Sequence, residues 1–307
     1  MLGLFLLFLT AFGLIVLLGS AGILWAILRP RRKTYAVALA LDCPTHPTDL
    51  DLDGEEVIFN LPGGHTSPGW IIRGEKPDGP TVMVLHGHRD SRYGALYRAK
   101  TLAPYAGQVV VFDWPAHGEC TAKWMTCGQR EPADVLAVLD GLPQALSDKP
   151  VVLFGYSLGG QIALKTAGRY PRFAGVIADG PYRYWSSPIR MRAQRLGYPV
   201  LPFMPLVALV LRLIGSLRGF DRATWAAKIE VPVLVLHGTA DRVCPHEEGR
   251  QIAEAAPKGR FTSIPDGPHN HLASHDPQRY HAALESFFAE LAEHAEPQVP
   301  AADTLAT

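Results

Sequence analysis

From Leu2 to Leu28 the chain carries no charged residue, and Leu, Phe, Ile, Val, Ala and Gly dominate the run. About 20 apolar residues in a helix cross a bilayer core, so this stretch predicts one transmembrane helix. A cleaved signal peptide is the weaker alternative, because it wants positive charge ahead of a shorter apolar run, and here no Lys or Arg precedes the run. The first basic residues, Arg29, Arg31, Arg32 and Lys33, follow the span. Cationic flanks tend to stay on the cytoplasmic side, which predicts a single-pass membrane protein with its main domain in the cytoplasm and its N-terminus outside. Trp25 fits an interfacial aromatic anchor.

Beyond a polar, Pro-containing stretch at 43–53, short β-branched runs alternate with helix-length segments. That alternation predicts an α/β domain with a mostly parallel sheet and helices on both faces. Strands are expected at 69–73, 81–85, 108–112, 151–154, 175–178, 232–236 and 261–264. Several are apolar at consecutive positions, as strands buried on both faces must be. Helices are expected near 93–103, 131–146, 158–169, 247–256 and 277–291. The resulting organisation is an anchor with its basic flank (1–33), a linker (34–54), an α/β domain (55–292) and a tail rich in Ala, Pro and Glu (293–307) expected to be disordered. Residues 181–227 are too long for an ordinary connection and carry their own apolar and aromatic side chains, so they read as a cap. Within it, 200–217 resembles a second span, but Pro202, Pro205 and Arg212 disfavour a full crossing; a cap helix or a membrane-dipping helix remains.

Composition narrows the function. Lys plus Arg total 29 and Asp plus Glu total 29, so no global field gathers a polyanion, and nucleic acid is not an expected partner. The four cysteines, Cys43, Cys120, Cys127 and Cys244, form no C-x-x-C pair; they are expected to stay reduced, although loop length alone permits a Cys120–Cys127 disulfide. His237, His246 and the acidic residues Asp51, Asp53 and Glu55 lack the clustered or helical spacing of metal ligands, so no metal is assigned.

The chemistry concentrates in one motif. Gly155-Tyr156-Ser157-Leu158-Gly159 fits the G-x-S-x-G nucleophile elbow, with an expected strand before it and an expected helix after it. Such a turn strains the nucleophile's backbone and leaves room only for glycine beside it. The helix that follows points its amides and positive dipole end at the same spot, which suits a developing oxyanion. A serine hydroxyl attacks only once a base takes its proton and an acid orients that base. Asp241, after the 232–236 strand, is the candidate acid, and His269, in the loop after the last strand, the candidate base. Asp179 and His271 remain as alternatives for the two roles. His86, His117 and Asp113 lie in tight turns and read as structural groups.

On these residues the chain resembles the α/β-hydrolase superfamily, and within it the Bem46-like or prolyl-oligopeptidase-like serine hydrolases, over roughly residues 55–292. The resemblance also rests on Leu85-His86-Gly87-His88, on Asp113 to Gly118, and on the Asp241 and His269 loops. Trp114-Pro115-Ala116 departs from the more usual arginine and glycine before His-Gly. The resemblance implies cleavage of esters, thioesters or amides through an acyl-enzyme, without metal or organic cofactor. It also implies an oxyanion hole made by the backbone amides of His88 and Leu158. The expected partner is a small-molecule or lipid-like acyl substrate, the cap's apolar residues and the anchor favouring lipid. An acyltransferase with the same three residues, or a non-catalytic membrane-bound scaffold with this fold, are the competing readings; the intact Ser, Asp and His set argues against the scaffold.

Overall fold

A computed structural model describes residues 1–217 and 220–295. The apolar run forms one helix, α1 (Leu2–Leu28), the one helix among the described residues long and apolar enough to cross a membrane. The expected linker is not featureless. It holds a short helix, α2 (Tyr35–Ala40), and a 3-10 turn (Pro47–Leu50), and it buries Ala38 and Leu52 in the core.

Eight strands make one sheet: β1 (Gly54–Leu61), β2 (His65–Arg73), β3 (Thr81–Leu85), β4 (Gln108–Phe112), β5 (Val151–Tyr156), β6 (Gly175–Asp179), β7 (Val233–Gly238) and β8 (Gly259–Ile264). Their spatial order is β1-β2-β4-β3-β5-β6-β7-β8. β2 runs antiparallel to β1 and to β4, and every other neighbouring pair is parallel. The expected strands are all present, two of them, β3 and β4, with the expected ends. β1, not expected from the sequence, is an edge strand in which only Phe59 and Leu61 are buried, and its apolar run, Val57-Ile58-Phe59, is just three residues long between Glu56 and Asn60.

Successive residues of β3 belong to opposite cores: Val82 and Val84 pack with α3 (Arg92–Leu102) and α12 (Pro277–Ala295), while Met83 and Leu85 pack on the other side. That second side is covered by α4 (Glu131–Asp140), α6 (Leu158–Arg169) and α10 (His246–Ala255). Alternating side chains buried on both faces require an unbroken apolar strand, the pattern visible in the sequence.

Two expectations need correction. The helix expected at 131–146 is two, α4 and α5 (Gln144–Ser147), because Gly141 and Pro143 interrupt it. The tail expected to begin at 293 does not, since α12 continues to Ala295; the rest of that tail lies outside the described residues. The described residues of the segment read as a cap, 181–227, hold three helices, α7 (Ser187–Leu196), α8 (Met204–Leu213) and α9 (Arg222–Ala226). At 10 residues α8 is too short to span a bilayer. It packs instead on α1: the Phe203 ring fills the space beside Gly19, where any Cβ would collide with it, and Ser20 Oγ donates to the Phe203 carbonyl at 3.2 Å.

Candidate active site

The parallel strands deliver their C-terminal ends to one edge, which collects the turn after β3, Ser157 after β5, Asp179 ending β6, Asp241 beyond β7 and His269 beyond β8. Ser157 occupies a left-handed backbone conformation (φ 53°, ψ −115°) that a side-chain-bearing residue adopts only under constraint. The constraint is visible in its neighbours. A Cβ on Gly155 would collide with the Gly159 carbonyl, and one on Gly159 with the Leu85 carbonyl, so both motif glycines are sterically required. Ser157 N donates to the Asp179 carbonyl at 2.8 Å, which fixes the elbow to β6.

His269 Nε2 lies 2.9 Å from Ser157 Oγ, and His269 Nδ1 lies 2.7 Å from Asp241 Oδ2. With Nδ1–H donating to the carboxylate, the Nε2 lone pair is left to accept the serine proton. The loops that carry the two residues are fastened together: Ala240 N donates to the Gly267 carbonyl at 3.1 Å and Asp266 N to Thr239 Oγ1 at 2.8 Å. The Asp241 side chain is fully shielded from solvent and that of His269 is 10% exposed, so both act in a water-poor setting that strengthens their attraction.

Asp241 Oδ1 accepts the amides of Val243 (2.7 Å) and Cys244 (2.8 Å), and Oδ2 also faces His237 Nε2 at 3.1 Å. Burial by itself would raise the carboxyl pKa, but the hydrogen bonds from His237 and His269 hold it well below the usual range. Asp241 therefore stays ionised throughout neutral pH. The two sequence alternatives make other contacts. The Asp179 carboxylate accepts from Tyr280 Oη at 3.0 Å, and His271 caps α11 (Leu272–His275) in a left-handed conformation.

His86 is structural, as expected: its Nδ1 pairs with the Gly87 carbonyl at 2.9 Å, its Nε2 accepts Trp114 N at 3.1 Å, and burial lowers its pKa to about 4. Asp113 likewise fixes a turn, accepting the amides of Arg92 and Glu119, with its pKa raised by burial to about 6. Leu158 opens α6, where first-turn amides have no partner inside the helix, and a Cβ placed on Gly87 would lie within van der Waals range of the Ser157 Cβ. The turn that carries His88 thus borders the nucleophile.

Two residues here were not read from the sequence as parts of the site. His237 was considered only as a metal ligand, yet it is the second imidazole on Asp241; its place four residues before Asp241, on a strand end, was the available signal. Cys244 is buried, with its thiol against the Ser157 hydroxyl, and burial pushes that thiol well above its ordinary pKa. The ligand atoms of Asp241, Cys244 and His269 lie within 4.8 Å of one another. The carboxylate and both imidazole nitrogens are already committed to hydrogen bonds, so a metal ion there would have to displace the Ser157 and Asp241 contacts. Cys120 and Cys127 are both free thiols.

A doubly covered, mostly parallel sheet with a strained serine at the end of a central strand defines the α/β-hydrolase class. The chain belongs to the alpha/beta hydrolase family, whose profile matches residues 82–283, and it is an enzyme of the serine-hydrolase type. It is similar to the uncharacterized protein YfhR of Salmonella typhimurium, 26% identical over 71% of this chain and 75% of that protein. It is also similar to the lysophosphatidylserine lipase ABHD12 of Danio rerio, 25% identical over 70% of this chain and 60% of that protein. Among solved structures, the Pyrococcus furiosus esterase Pf2001 shares the fold with a TM-score of 0.65 at 21% identity, over 80% of this chain and 95% of that one.

Proposed function

We propose that this protein is a membrane-anchored serine hydrolase that cleaves carboxylic esters or thioesters, with Ser157 as nucleophile, His269 as base and Asp241 as orienting acid. The observation that carries the reading is the unbroken hydrogen-bonded line from Ser157 Oγ through His269 to Asp241. In the first step His269 Nε2 takes the hydroxyl proton as Ser157 Oγ attacks the acyl carbon. The amides of Leu158 and His88 stabilise the oxyanion; one such donor is worth about 3 kcal/mol. His269 then returns the proton to the leaving group, and water, activated by the same imidazole, releases the acid. A fluorophosphonate probe should label the wild-type protein on Ser157, and an adduct mapped to any other residue would remove the assignment. We assign the chain to the Bem46-like or prolyl-oligopeptidase-like branch on its His86-Gly87-His88 turn and the spacing of its Asp241 and His269 loops.

The preferred substrates are lipid-like esters. α8 meets α1 at Gly19 and Ser20, eight residues before the end of the helix, which at 1.5 Å per residue is about 12 Å. With α1 across a bilayer, that depth puts α8 among the acyl chains of the nearer leaflet. Exposed Leu209, Leu213 and Ile214 suit that setting, as does the name of the Danio rerio relative, a lysophosphatidylserine lipase. Each methylene withdrawn from water contributes about 0.8 kcal/mol, so several carbons in a cap groove shift selectivity by orders of magnitude. kcat/KM is therefore expected to rise from acetate through butyrate to octanoate esters, and the rise to flatten with Leu206→Ala and Val210→Ala. Acetate preference untouched by either change would remove the lipid assignment and leave the hydrolase.

The domain beyond Lys33 is assigned to the cytoplasm on the basic flank of the span. External protease should leave the domain intact in sealed cells or spheroplasts; digestion there would reverse the orientation.

A further inference from the structure

The turn at 86–90 carries the His88 amide and needs holding in place. Arg89 in its middle has a left-handed backbone (φ 65°), a conformation that side-chain-bearing residues keep only when their surroundings impose it. Its inner side is held by the domain itself, through the His86 ring on Trp114 N, and the Tyr156 ring crowds the space a Cβ on Gly87 would take. The outer side is held by the end of α1. His88 Nε2 donates to the Ile27 carbonyl at 3.2 Å, and Lys33 Nζ pairs with Asp90 Oδ1 at 2.7 Å. Asp90 in turn accepts the Tyr156 hydroxyl, the residue just before the nucleophile.

These contacts are part of a broader docking. The last carbonyls of a helix have no partner within it, and here they turn to the domain: Leu28 O accepts Met125 N at 3.0 Å beside the Ile27 bond to His88. Arg32 spans the Cys120 and Ala122 carbonyls, and the Arg29 guanidinium lies over both the Trp25 and Trp124 rings. The Lys33 and Asp90 side chains are 20% and 18% exposed, so the pair is sheltered from bulk water. Burial would raise the Asp90 carboxyl pKa, yet the Lys33 charge beside it helps hold it below its ordinary value. The charge pattern after α1 therefore does more than orient the chain in a membrane.

We propose that the end of the anchor helix is a positioning element of the oxyanion hole: Ile27 O and Lys33 hold the 86–90 turn so that the His88 amide meets the developing oxyanion. The inference rests on the hydrolase reading above and adds a role for the anchor within the chemistry. It makes turnover depend on α1 being seated against the domain, because an ångström of drift in this turn withdraws one of the two donors. Misplacement on that scale costs up to about 100-fold in rate.

The test uses the full chain in lipid nanodiscs, with a short ester whose acyl group makes no demand on the cap. Lys33→Ala and His88→Ala, which keeps the backbone amide, should each lower kcat by about 10- to 100-fold with KM changed less than about threefold. Inhibition by a trifluoromethyl ketone, whose adduct places a charged oxygen in the same hole, should weaken by the same factor. Lys33→Arg should recover most of the loss. Should Lys33→Ala fold poorly by circular dichroism, Lys33→Gln carries the same expectation. Unchanged kcat and ketone affinity in the folded variants, or a loss confined to KM or to thermal stability, would overturn the proposal. Labelling of wild-type Ser157 by fluorophosphonate separates the two failures: a labelled wild type with unaffected variants removes this inference alone, and an unlabelled wild type removes the hydrolase reading with it.

Discussion

Ser157→Ala is expected to lower kcat on an activated ester by about 10⁵- to 10⁶-fold, and His269→Ala by a similar factor. The two act as one unit, since the hydroxyl at 2.9 Å from Nε2 is a nucleophile only while the imidazole can take its proton. The double variant should therefore be no slower than either single one, with the residual rate over water coming from the oxyanion amides and binding. Neither change opens a cavity in the apolar core, because both side chains meet at the strand-end edge of the sheet and His269 belongs to a surface loop. Thermal unfolding of Ser157→Ala should stay close to wild type. Steady-state kinetics and the mass of the fluorophosphonate adduct check the prediction; additive losses in the double variant, or full turnover by either single one, would mean that the serine and histidine do not work together.

The elbow was legible because its pattern is local, a strand, five motif residues and a helix, even though Gly159 is compelled by the Leu85 carbonyl on β3 while Gly155 is compelled by the Gly159 carbonyl. The buried parallel strands were legible for the same kind of reason, since double-sided burial imprints a continuous apolar run on β3 to β7. Features set by contacts between distant segments were not. Asp179 ends β6 and Asp241 follows the end of β7, and only the fold shows Asp179 taken by Tyr280, 101 positions away. The contact of the end of α1 with the 86–90 turn joins residues 61 positions apart through a backbone carbonyl, a partner with no side-chain signature at all. Lys33, conversely, was visible in the sequence as part of a basic flank, and charge alone does not show its pairing with Asp90.

The choice between the two carboxylates makes the second large prediction. Asp241→Asn is expected to lower kcat by about 10³- to 10⁴-fold, whereas Asp179→Asn should cost less than about tenfold. In the wild type Oδ1 is taken by two backbone amides, so the asparagine carbonyl is drawn to that side and its NH₂ turns toward His269 and His237. A donor facing Nδ1 favours the tautomer with the proton on Nε2, which then cannot accept from Ser157. The same change has a pH signature in stability. Hydrogen bonds hold the Asp241 carboxyl below its unfolded value despite burial, so the carboxylate adds stability above that unfolded value, about 4, and loses it as the pH falls toward the folded one. The difference in Tm between wild type and Asp241→Asn should therefore be largest near pH 7 and narrow toward pH 3. A kinetic loss in Asp179→Asn that exceeds the loss in Asp241→Asn would transfer the orienting role to Asp179, and a Tm difference independent of pH would show that Asp241 is not held as a buried, hydrogen-bonded anion.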